Sequence, residues 1–246
     1  MPDAEVRQDE IANVILASLP ASEFDALAPS LERADFAPGE MMFEVEGAPG
    51  RVYFIESGLL SLIATLEDGT SIEVAALGRE GVAGLVMLLG ADAAVHTALA
   101  QIGGHALCVR LERAREAFRG LPAFRSRVLA YARVLTAHVT QTAACNTLHT
   151  VEQRLARWLL MCRRRIESDT IPLTQEFLSH MLGVRRSGVT VAVGELEQAG
   201  LVTHSRGTVV VTDPDGLGGV SCECIRVLTD EFEEFLGEDL DAEKFV

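Results

Sequence analysis

Residues 173–202, with the sequence LTQEFLSHMLGVRRSGVTVAVGELEQAGLV, form the segment that most constrains how this chain can fold. Apolar residues recur at helical spacing on both sides of Gly183, which predicts two short helices joined by a tight turn. Glycine adopts the positive φ of such a turn at little cost. Thr174 precedes the first helix and is predicted to cap its free N–H groups. The second helix is predicted to begin at the adjacent arginines Arg185 and Arg186.

The next segment, THSRGTVVVTD at 203–213, predicts a β-hairpin with its turn at Ser205-Arg206-Gly207. Two helices followed by a hairpin with a basic tip are typical of a winged-helix DNA-binding unit. The alternative is an ordinary helical hairpin with surface arginines, in which the wing and the paired arginines would be coincidental. We therefore predict that this part of the chain binds DNA.

The residue types in this segment divide between the two kinds of DNA contact. Arginine and small polar side chains can reach base edges in the major groove, and an apolar side chain can meet a thymine methyl group. Contacts to phosphates fix the register of the protein but carry little sequence information. We predict base contacts from Arg185, Arg186, Ser187, Thr190 and Val191, and phosphate contacts from Thr174, Gln175 and Arg206.

The bulk composition favours a protein of the reduced cytoplasm. No run of about 18 uncharged apolar residues is present, so a membrane span is not expected. The N-terminus, MPDAEVRQDE, lacks the basic-then-apolar order of a signal peptide. The five cysteines are an odd number in a chain of 246 residues, which is not typical of a disulfide framework.

The net charge of −15 is distributed unevenly along the chain. Residues 1–144 carry a net charge of −8, residues 145–221 are neutral, and residues 222–246 carry −7. The predicted DNA-binding segment is thus the least acidic part of an acidic protein, which permits DNA binding. A local positive face is predicted from six arginines, Arg163, Arg164, Arg165, Arg185, Arg186 and Arg206.

Residues 36–111 have a different pattern, with short apolar runs separated by turn residues such as Gly47-Ala48-Pro49-Gly50 and Asp68-Gly69. Several short strands at this spacing are typical of a β-sandwich or barrel. Residues 11–35 before them have helical spacing interrupted by Pro20. Residues 151–166 predict an amphipathic helix with its sole tryptophan, Trp158, in the core.

A long helix is predicted from about residue 123 to residue 148. Residues along it recur at alternating spacings of three and four, as in a helix with one seam facing a partner. This stripe has two interpretations, a subunit interface or an intramolecular core, and the DNA-binding unit that follows favours the interface. The interface candidates are Val128, Tyr131, Leu135, His138 and Thr142. Residues 144–150 are the predicted hinge to the DNA-binding unit.

Several further motifs accompany the segment 173–213, namely PGE at 38–40, VYFIESG at 52–58, LGREGVAGL at 77–85 and RLARWLL at 154–160. Together they resemble the Crp–Fnr family of bacterial transcription regulators. The resemblance implies an α+β fold with a cyclic-nucleotide-binding-like β-roll of the jelly-roll type, a long dimerisation helix and a C-terminal winged helix-turn-helix. It also implies a homodimer on palindromic double-stranded DNA, with RNA polymerase and a small effector as further partners. Two recognition helices would then enter half-sites about 34 Å apart.

The expected domain boundaries follow from these patterns and from the resemblance. They are residues 1–122 for the sensor domain, 123–148 for the dimerisation helix, 149–221 for the DNA-binding domain, and 222–246 for a C-terminal helix with an acidic tail. The helix is expected at 221–228, and residues 229–246 are expected to form the solvated acidic tail.

The effector chemistry of the family fits this sequence poorly. Members that bind cyclic AMP use a glutamate for the ribose hydroxyl and an arginine for the phosphate. The matching positions here are Gly84-Leu85 and His96-Thr97, which are the effector-pocket candidates. Leucine accepts no hydrogen bond, and a mostly neutral histidine replaces a fixed guanidinium poorly. The sequence therefore argues against cyclic AMP and leaves the cofactor unassigned; no cysteine precedes Cys108, so the N-terminal iron–sulfur ligands of other members are missing.

Neither a metal site nor an enzyme is predicted. Cys222 and Cys224 form a pair without neighbouring cysteine or histidine in the sequence, and free buried thiols are expected. Motifs such as G-x-S-x-G and H-E-x-x-H, and the phosphate-binding P-loop, are missing from the sequence. The rival function is a cyclic-nucleotide-like ligand receptor whose C-terminal helices contact a protein and not DNA.

Overall fold

The computed structural model of this protein describes residues 6–43 and 50–237. The turn predicted near residues 47–50 lies almost wholly outside these ranges, as does the end of the predicted acidic tail from residue 238 onward. The described residues adopt the expected α+β architecture, in which a β-roll, a long helix and a winged helix follow one another along the chain.

The β-roll consists of two antiparallel four-stranded sheets that enclose an apolar core. In one sheet the strands lie in the order β1-β8-β3-β6, and in the other in the order β2-β7-β4-β5. The strands are β1 (Glu32–Phe36), β2 (Met41–Phe43), β3 (Arg51–Ile55), β4 (Leu59–Thr65), β5 (Ser71–Leu77), β6 (Val82–Ala83), β7 (Thr97–Ile102) and β8 (Gly104–Arg110). Inward side chains such as Phe54, Leu60 and Val109 are fully buried. The predicted Asp68-Gly69 turn joins β4 to β5, with Gly69 at a φ of 84°.

Four short helices surround the roll. They are α1 (Val14–Ala17), α2 (Ala21–Leu27), α3 (Leu85–Leu88) and α4 (Leu111–Gly120). The Asn13 side chain caps α1 by accepting a hydrogen bond from the backbone N–H of Leu16. The Glu56 carboxylate accepts hydrogen bonds from the backbone N–H groups of Ala12 and Asn13, at 3.0 and 2.9 Å. These bonds attach the N-terminal helices to the end of β3.

The predicted long helix is α5 (Pro122–Leu148), but its apolar stripe faces the interior of the same chain. Four of the five interface candidates, Val128, Tyr131, His138 and Thr142, are buried in this single chain. The fifth, Leu135, is half-buried beside an apolar cavity of the β-roll. For the four buried side chains the dimer-interface assignment is therefore wrong and the intramolecular interpretation is confirmed, whereas the assignment of Leu135 stays a prediction.

The C-terminal segment supplies much of the cover for that stripe. Helix α10 (Cys224–Gly237) packs along α5, with the rings of Tyr131 and Phe235 6.1 Å apart. The Arg127 guanidinium lies over the Phe235 ring at 4.7 Å. Residues 229–237 were expected in a solvated acidic tail, and this prediction is wrong because their apolar positions form one face of α10.

A winged helix lies between α5 and α10. Its elements are α6 (Val151–Ile166), β9 (Thr170–Pro172), α7 (Gln175–Leu182), α8 (Arg186–Gln198), β10 (Val202–Ser205), β11 (Thr208–Val211) and α9 (Pro214–Val220). Helix α5 continues to Leu148, so the break within the predicted hinge is confined to His149 and Thr150. Thr150 and Gln153 form a capping box that begins α6. None of the helices in the described ranges combines the length and apolarity that a bilayer crossing requires.

Candidate nucleic-acid interface

The helix-turn-helix is built by local interactions that its sequence specifies. The Thr174 hydroxyl accepts a hydrogen bond from the backbone N–H of Phe177 at 3.1 Å, and so caps α7. Gly183 ends α7 in the left-handed conformation, with φ at 61°. A Cβ atom added at Gly183 would lie 2.9 Å from the Ile72 side chain of β5. The turn therefore requires glycine both for its backbone conformation and for its close approach to the β-roll.

Helix α8 divides into an inward and an outward face. The inward residues Val189, Ala192, Val193 and Leu196 are buried in the winged-helix core. The outward residues Arg185, Arg186, Ser187, Thr190 and Val191 are exposed. Val191 is 59% exposed, which leaves an apolar side chain available to a partner. Thr190 donates its hydroxyl proton to the Arg186 carbonyl at 3.0 Å, so its oxygen is left to accept from a partner.

An ion pair crosses the turn between the two helices. Arg186 of α8 lies 2.9 Å from the Glu176 carboxylate of α7, and both side chains are 63% exposed. Pairs at this exposure contribute about 0–1 kcal/mol, so the guanidinium can exchange this partner for another anion. The role of Glu176 could not be predicted from the sequence, because ten residues separate it from Arg186 and no short-range spacing rule indicates such a contact.

The wing has the hairpin predicted from the sequence and a third strand that was not predicted. Strands β10 and β11 pair antiparallel, and β9 adds to the outer edge of β11. The tip carries the exposed Arg206 and Gly207, whose φ is 78°. Gln175, at the start of α7, is half-buried, and Thr174 before it is exposed.

Only part of the predicted positive face is available. Arg163 pairs with Asp169 at 2.5 Å, and Arg164 pairs with Glu233 at 3.3 Å. Arg165 is buried and pairs with Glu80 at 2.9 Å. The assignment of the buried Arg165 to the positive face is therefore wrong, and the charges of Arg163 and Arg164 are balanced by their acidic partners. Arg185, Arg186 and Arg206 are the members of the set that lie exposed on α8 and the wing.

Buried polar contacts attach the winged helix to the β-roll. The indole N–H of Trp158 donates to the Glu73 carboxylate at 2.7 Å, and the Ser61 hydroxyl donates to the same carboxylate at 2.5 Å. Burial raises the pKa of Glu73. Arg165 donates to Glu80 at 2.9 Å, and the same carboxylate accepts from the backbone N–H of Gly78 at 3.0 Å. The orientation of α6, and of the helix-turn-helix that packs on it, is thereby fixed to strand β5 and the turn that follows it.

Three of the four effector-pocket candidates line one cavity in the β-roll. Gly84, Leu85 and His96 meet there with Leu135 of α5, and the lining is mostly apolar. The fourth candidate, Thr97, is not among the lining residues and pairs with Ile63 in the sheet. The cavity has a volume of about 30 Å³, which is room for only a few water molecules. Burial lowers the pKa of His96, so its imidazole is neutral at pH 7.

A cluster of sulfur and nitrogen atoms lies beside the hinge. Cys145, His149, Cys222 and Cys224 bring one donor atom each to within 4.8 Å of one another. Cys222 and Cys224 are free buried thiols, as expected, but Cys145 and His149 from distant positions in the sequence lie beside them because the end of α5 packs against the segment before α10. The hydrogen bond with Cys222 and the positive charge of Arg157 lower the pKa of the Cys145 thiol. The sequence signals for this cluster are the Cys222-x-Cys224 pair and the four-residue spacing of Cys145, in the last turn of α5, and His149, the residue that follows the helix.

Comparison with known proteins agrees with this architecture. The cyclic nucleotide-binding domain model matches residues 33–120, and the Crp-like helix-turn-helix domain model matches residues 153–219. No curated protein in the comparison matches the chain.

Solved structures with the same fold include three bacterial proteins. FixK2 from Bradyrhizobium japonicum has a TM-score of 0.68 and 17% identity over 78% of this chain and 98% of its own. The c-di-GMP-responsive global regulator CLP from Xanthomonas campestris has a TM-score of 0.65 and 18% identity, over 78% and 99%. A CRP/FNR-family transcriptional regulator from Thermus thermophilus has a TM-score of 0.53 and 22% identity, over 77% and 98%. With a cyclic nucleotide-binding domain followed by a Crp-like helix-turn-helix domain, the chain belongs to the DNA-binding transcription regulators of the Crp/Fnr type.

Proposed function

We propose that the protein acts as a homodimer that reads a palindromic promoter site, with one α8 helix in each of two successive major grooves. The observation that supports this is the composition of α8, in which one face builds the core while Arg185, Arg186 and Val191 stay exposed on the other. A single recognition helix reads too few base pairs for useful selectivity. Two helices related by a two-fold axis and about 34 Å apart double the length of the sequence that is read.

Within this proposal the side chains keep the roles predicted from the sequence. Arg185, Arg186, Ser187 and Thr190 contact base edges, and Val191 meets a thymine methyl group. Because the Thr190 hydroxyl proton is already donated, its oxygen accepts from an amino group of a base. Thr174, Gln175 and Arg206 hold phosphates; the Thr174 oxygen caps α7, so its proton is free to donate to one.

The subunit contact in this proposal uses the face of α5 opposite to the buried stripe. Exposed residues on this dimer face are Leu129, Thr136, Thr140, Ala143 and Thr147. The three threonines donate their hydroxyl protons to carbonyls four residues earlier, at 2.7 to 3.1 Å. Their methyl groups therefore dominate the exposed surface, and small side chains let two helices approach closely. Thr140→Glu should convert a dimer to a monomer in analytical ultracentrifugation, whereas Thr65→Glu on the β-roll should not.

The DNA-binding roles are tested by fluorescence anisotropy on fragments selected from the source genome. Arg186→Ala should cost about 1–3 kcal/mol on the selected site and relax one base-pair position. Arg125→Ala, which removes an exposed arginine from α5, serves as the control and should change neither the affinity for the selected site nor the base preference at that position. Equal weakening on selected and random DNA would assign Arg186 to phosphate. Unchanged binding by Arg185→Ala and Arg186→Ala together would refute the proposal.

We also propose that the effector, which stays unidentified, is not cyclic AMP. The cavity at Gly84, Leu85 and His96 is too small for a nucleotide, and Leu85 offers no acceptor for a ribose hydroxyl. Calorimetry with cyclic AMP should detect no binding, and saturable binding that Leu85→Ala abolishes would contradict this.

RNA polymerase is the further partner expected of a promoter-binding regulator. The rival receptor function is disfavoured by the exposed α8 face, and it predicts that no sequence-selective DNA binding is detected at any salt concentration.

A further inference from the structure

We propose that Cys145, His149, Cys222 and Cys224 form a tetrahedral zinc(II) site that joins the end of α5 to the start of α10. Three thiolates and one imidazole are a common ligand set of structural zinc sites, which are four-coordinate and closed to solvent. The three cysteines are buried and His149 is half-buried. The DNA-binding function described above does not use any of these residues.

The distances between the donor atoms fit a single metal ion. Zinc–sulfur bonds of about 2.3 Å and zinc–nitrogen bonds of about 2.0–2.1 Å place two sulfurs about 3.8 Å apart, and a sulfur and a nitrogen about 3.5 Å apart, at tetrahedral angles. The Cys145 and Cys222 sulfurs are 3.5 Å apart, and the Cys224 sulfur lies 3.6 Å from Nδ1 of His149. All four donor atoms lie within 4.8 Å of one another.

The groups around the four ligands orient them for a metal. Nδ1 of His149 faces the sulfurs, and its Nε2 lies 3.1 Å from the Glu223 carboxylate. A metal-bound histidine almost always donates its other ring N–H to a carboxylate, a carbonyl or a water, which fixes its tautomer. The Gln141 amide donates to the Cys224 sulfur at 3.0 Å, which stabilises a thiolate.

The charge of the surroundings suits an anionic zinc–thiolate centre. Three thiolates and one Zn²⁺ carry a net charge of −1. Arg157 is buried and contributes a positive charge near Cys145. Within residues 6–43 and 50–237 no carboxylate lies within ion-pair distance of Arg157, and its Nη1 contacts the Met161 sulfur. Glu73 interacts electrostatically with Arg157 from beyond ion-pair distance, and a zinc–thiolate centre would add a second negative charge near this buried guanidinium.

Zinc fits these ligands better than an iron–sulfur cluster does. The thiolates that bind a cluster are spread around several iron and sulfide atoms. Four donors that converge to within 4.8 Å leave room for one ion only. On binding, each thiol that is still protonated releases its proton to the buffer as its sulfur–zinc bond forms, and no electron is transferred.

The primary test is metal stoichiometry and ligand identity in the full-length protein. Protein purified under reducing conditions should contain one zinc per chain by elemental analysis. The apoprotein should take up one equivalent of Co²⁺, with the thiolate-to-cobalt charge-transfer absorption of a tetrahedral site. The double variant Cys222→Ser/Cys224→Ser should lose the metal and the absorption, while Cys162→Ala, which removes a buried thiol outside the cluster, should keep both.

A milder variant separates ligation from folding. Glu223→Gln leaves all four ligands in place but weakens the partner of the His149 ring. It should lower Zn²⁺ affinity about tenfold with unchanged circular dichroism. The proposal is overturned if the reduced protein binds Zn²⁺ no better than the double variant does. It is also overturned if the bound metal is an iron–sulfur cluster, or if the freshly isolated protein contains a Cys145–Cys222 disulfide in place of a metal.

Discussion

The buried ion pair between Arg165 and Glu80 offers the most direct test of how the winged helix is attached to the β-roll. Their side chains are only 5% and 8% exposed. Arg165→Met keeps much of the side-chain volume and leaves the Glu80 carboxylate buried without its cation. Removing one partner of a buried pair costs about 3–5 kcal/mol. Because the Gly78 N–H still donates to Glu80, we expect a cost at the lower end of this range, a loss of about 3 kcal/mol of unfolding free energy.

Urea denaturation monitored by the fluorescence of Trp158 measures this cost, because the indole lies in the same interface. The matched control is Arg163→Met, which breaks a pair whose side chains are 40% and 56% exposed. That change should cost no more than about 1 kcal/mol. Arg165→Met/Glu80→Leu should recover much of the loss, because no unpaired charge remains buried. Equal losses of unfolding free energy in the Arg165 and Arg163 variants would show that the buried contact between the winged helix and the β-roll does not form in solution.

Three further predictions follow from the contacts described above. Urea denaturation with and without a chelator should show the contribution of the proposed zinc to stability. With free zinc at a thousand times its Kd, the unfolding free energy should be about 4 kcal/mol higher than that of the metal-free protein. Burial raises the folded-state pKa of Glu73, so wild-type stability should fall as the pH rises above the unfolded value of 4.5 and level off above the folded pKa. In urea denaturation measured at several pH values between 4 and about 8, Glu73→Gln should remove this decrease in unfolding free energy. The same pH dependence in the wild type and the variant would contradict the prediction. Gly183→Ala should cost about 1–2 kcal/mol because of its left-handed φ, whereas Gly194→Ala on the open side of α8 should stabilise the protein by up to about 1 kcal/mol in the same assay.

The elements that could be predicted from the sequence are those that local interactions determine. Thr174, Gly183 and the apolar stripe of α8 specify the helix-turn-helix within thirty residues, and the structure has it there. The Asp68-Gly69 turn and the wing hairpin follow from short-range turn preferences in the same way. These features do not depend on which distant segment packs against them.

The features that could not be predicted depend on contacts between distant parts of the chain. The spacing of Val128, Tyr131 and His138 shows that α5 has a covered face, but not what covers it. The cover includes Phe235, about a hundred residues later, from a segment whose charge suggested a tail. The cluster of Cys145 with Cys222 was missed for the same reason, since 77 residues separate them in the sequence.

Two groups of contacts flank the α5–α6 break, one at the thiol–imidazole cluster and one between α6 and the β-roll. Together they determine the orientation of α8. The thiol–imidazole cluster joins the end of α5 to the segment before α10, while Glu73 and Glu80 hold α6 against the β-roll. A dimer can place two recognition helices about 34 Å apart only if this break has a defined geometry in both subunits. A ligand of the β-roll or a change at the thiols can shift that geometry only by favouring one arrangement over another. Substitutions at Glu80 or Cys224 should therefore change the affinity for specific DNA although neither residue lies on α8.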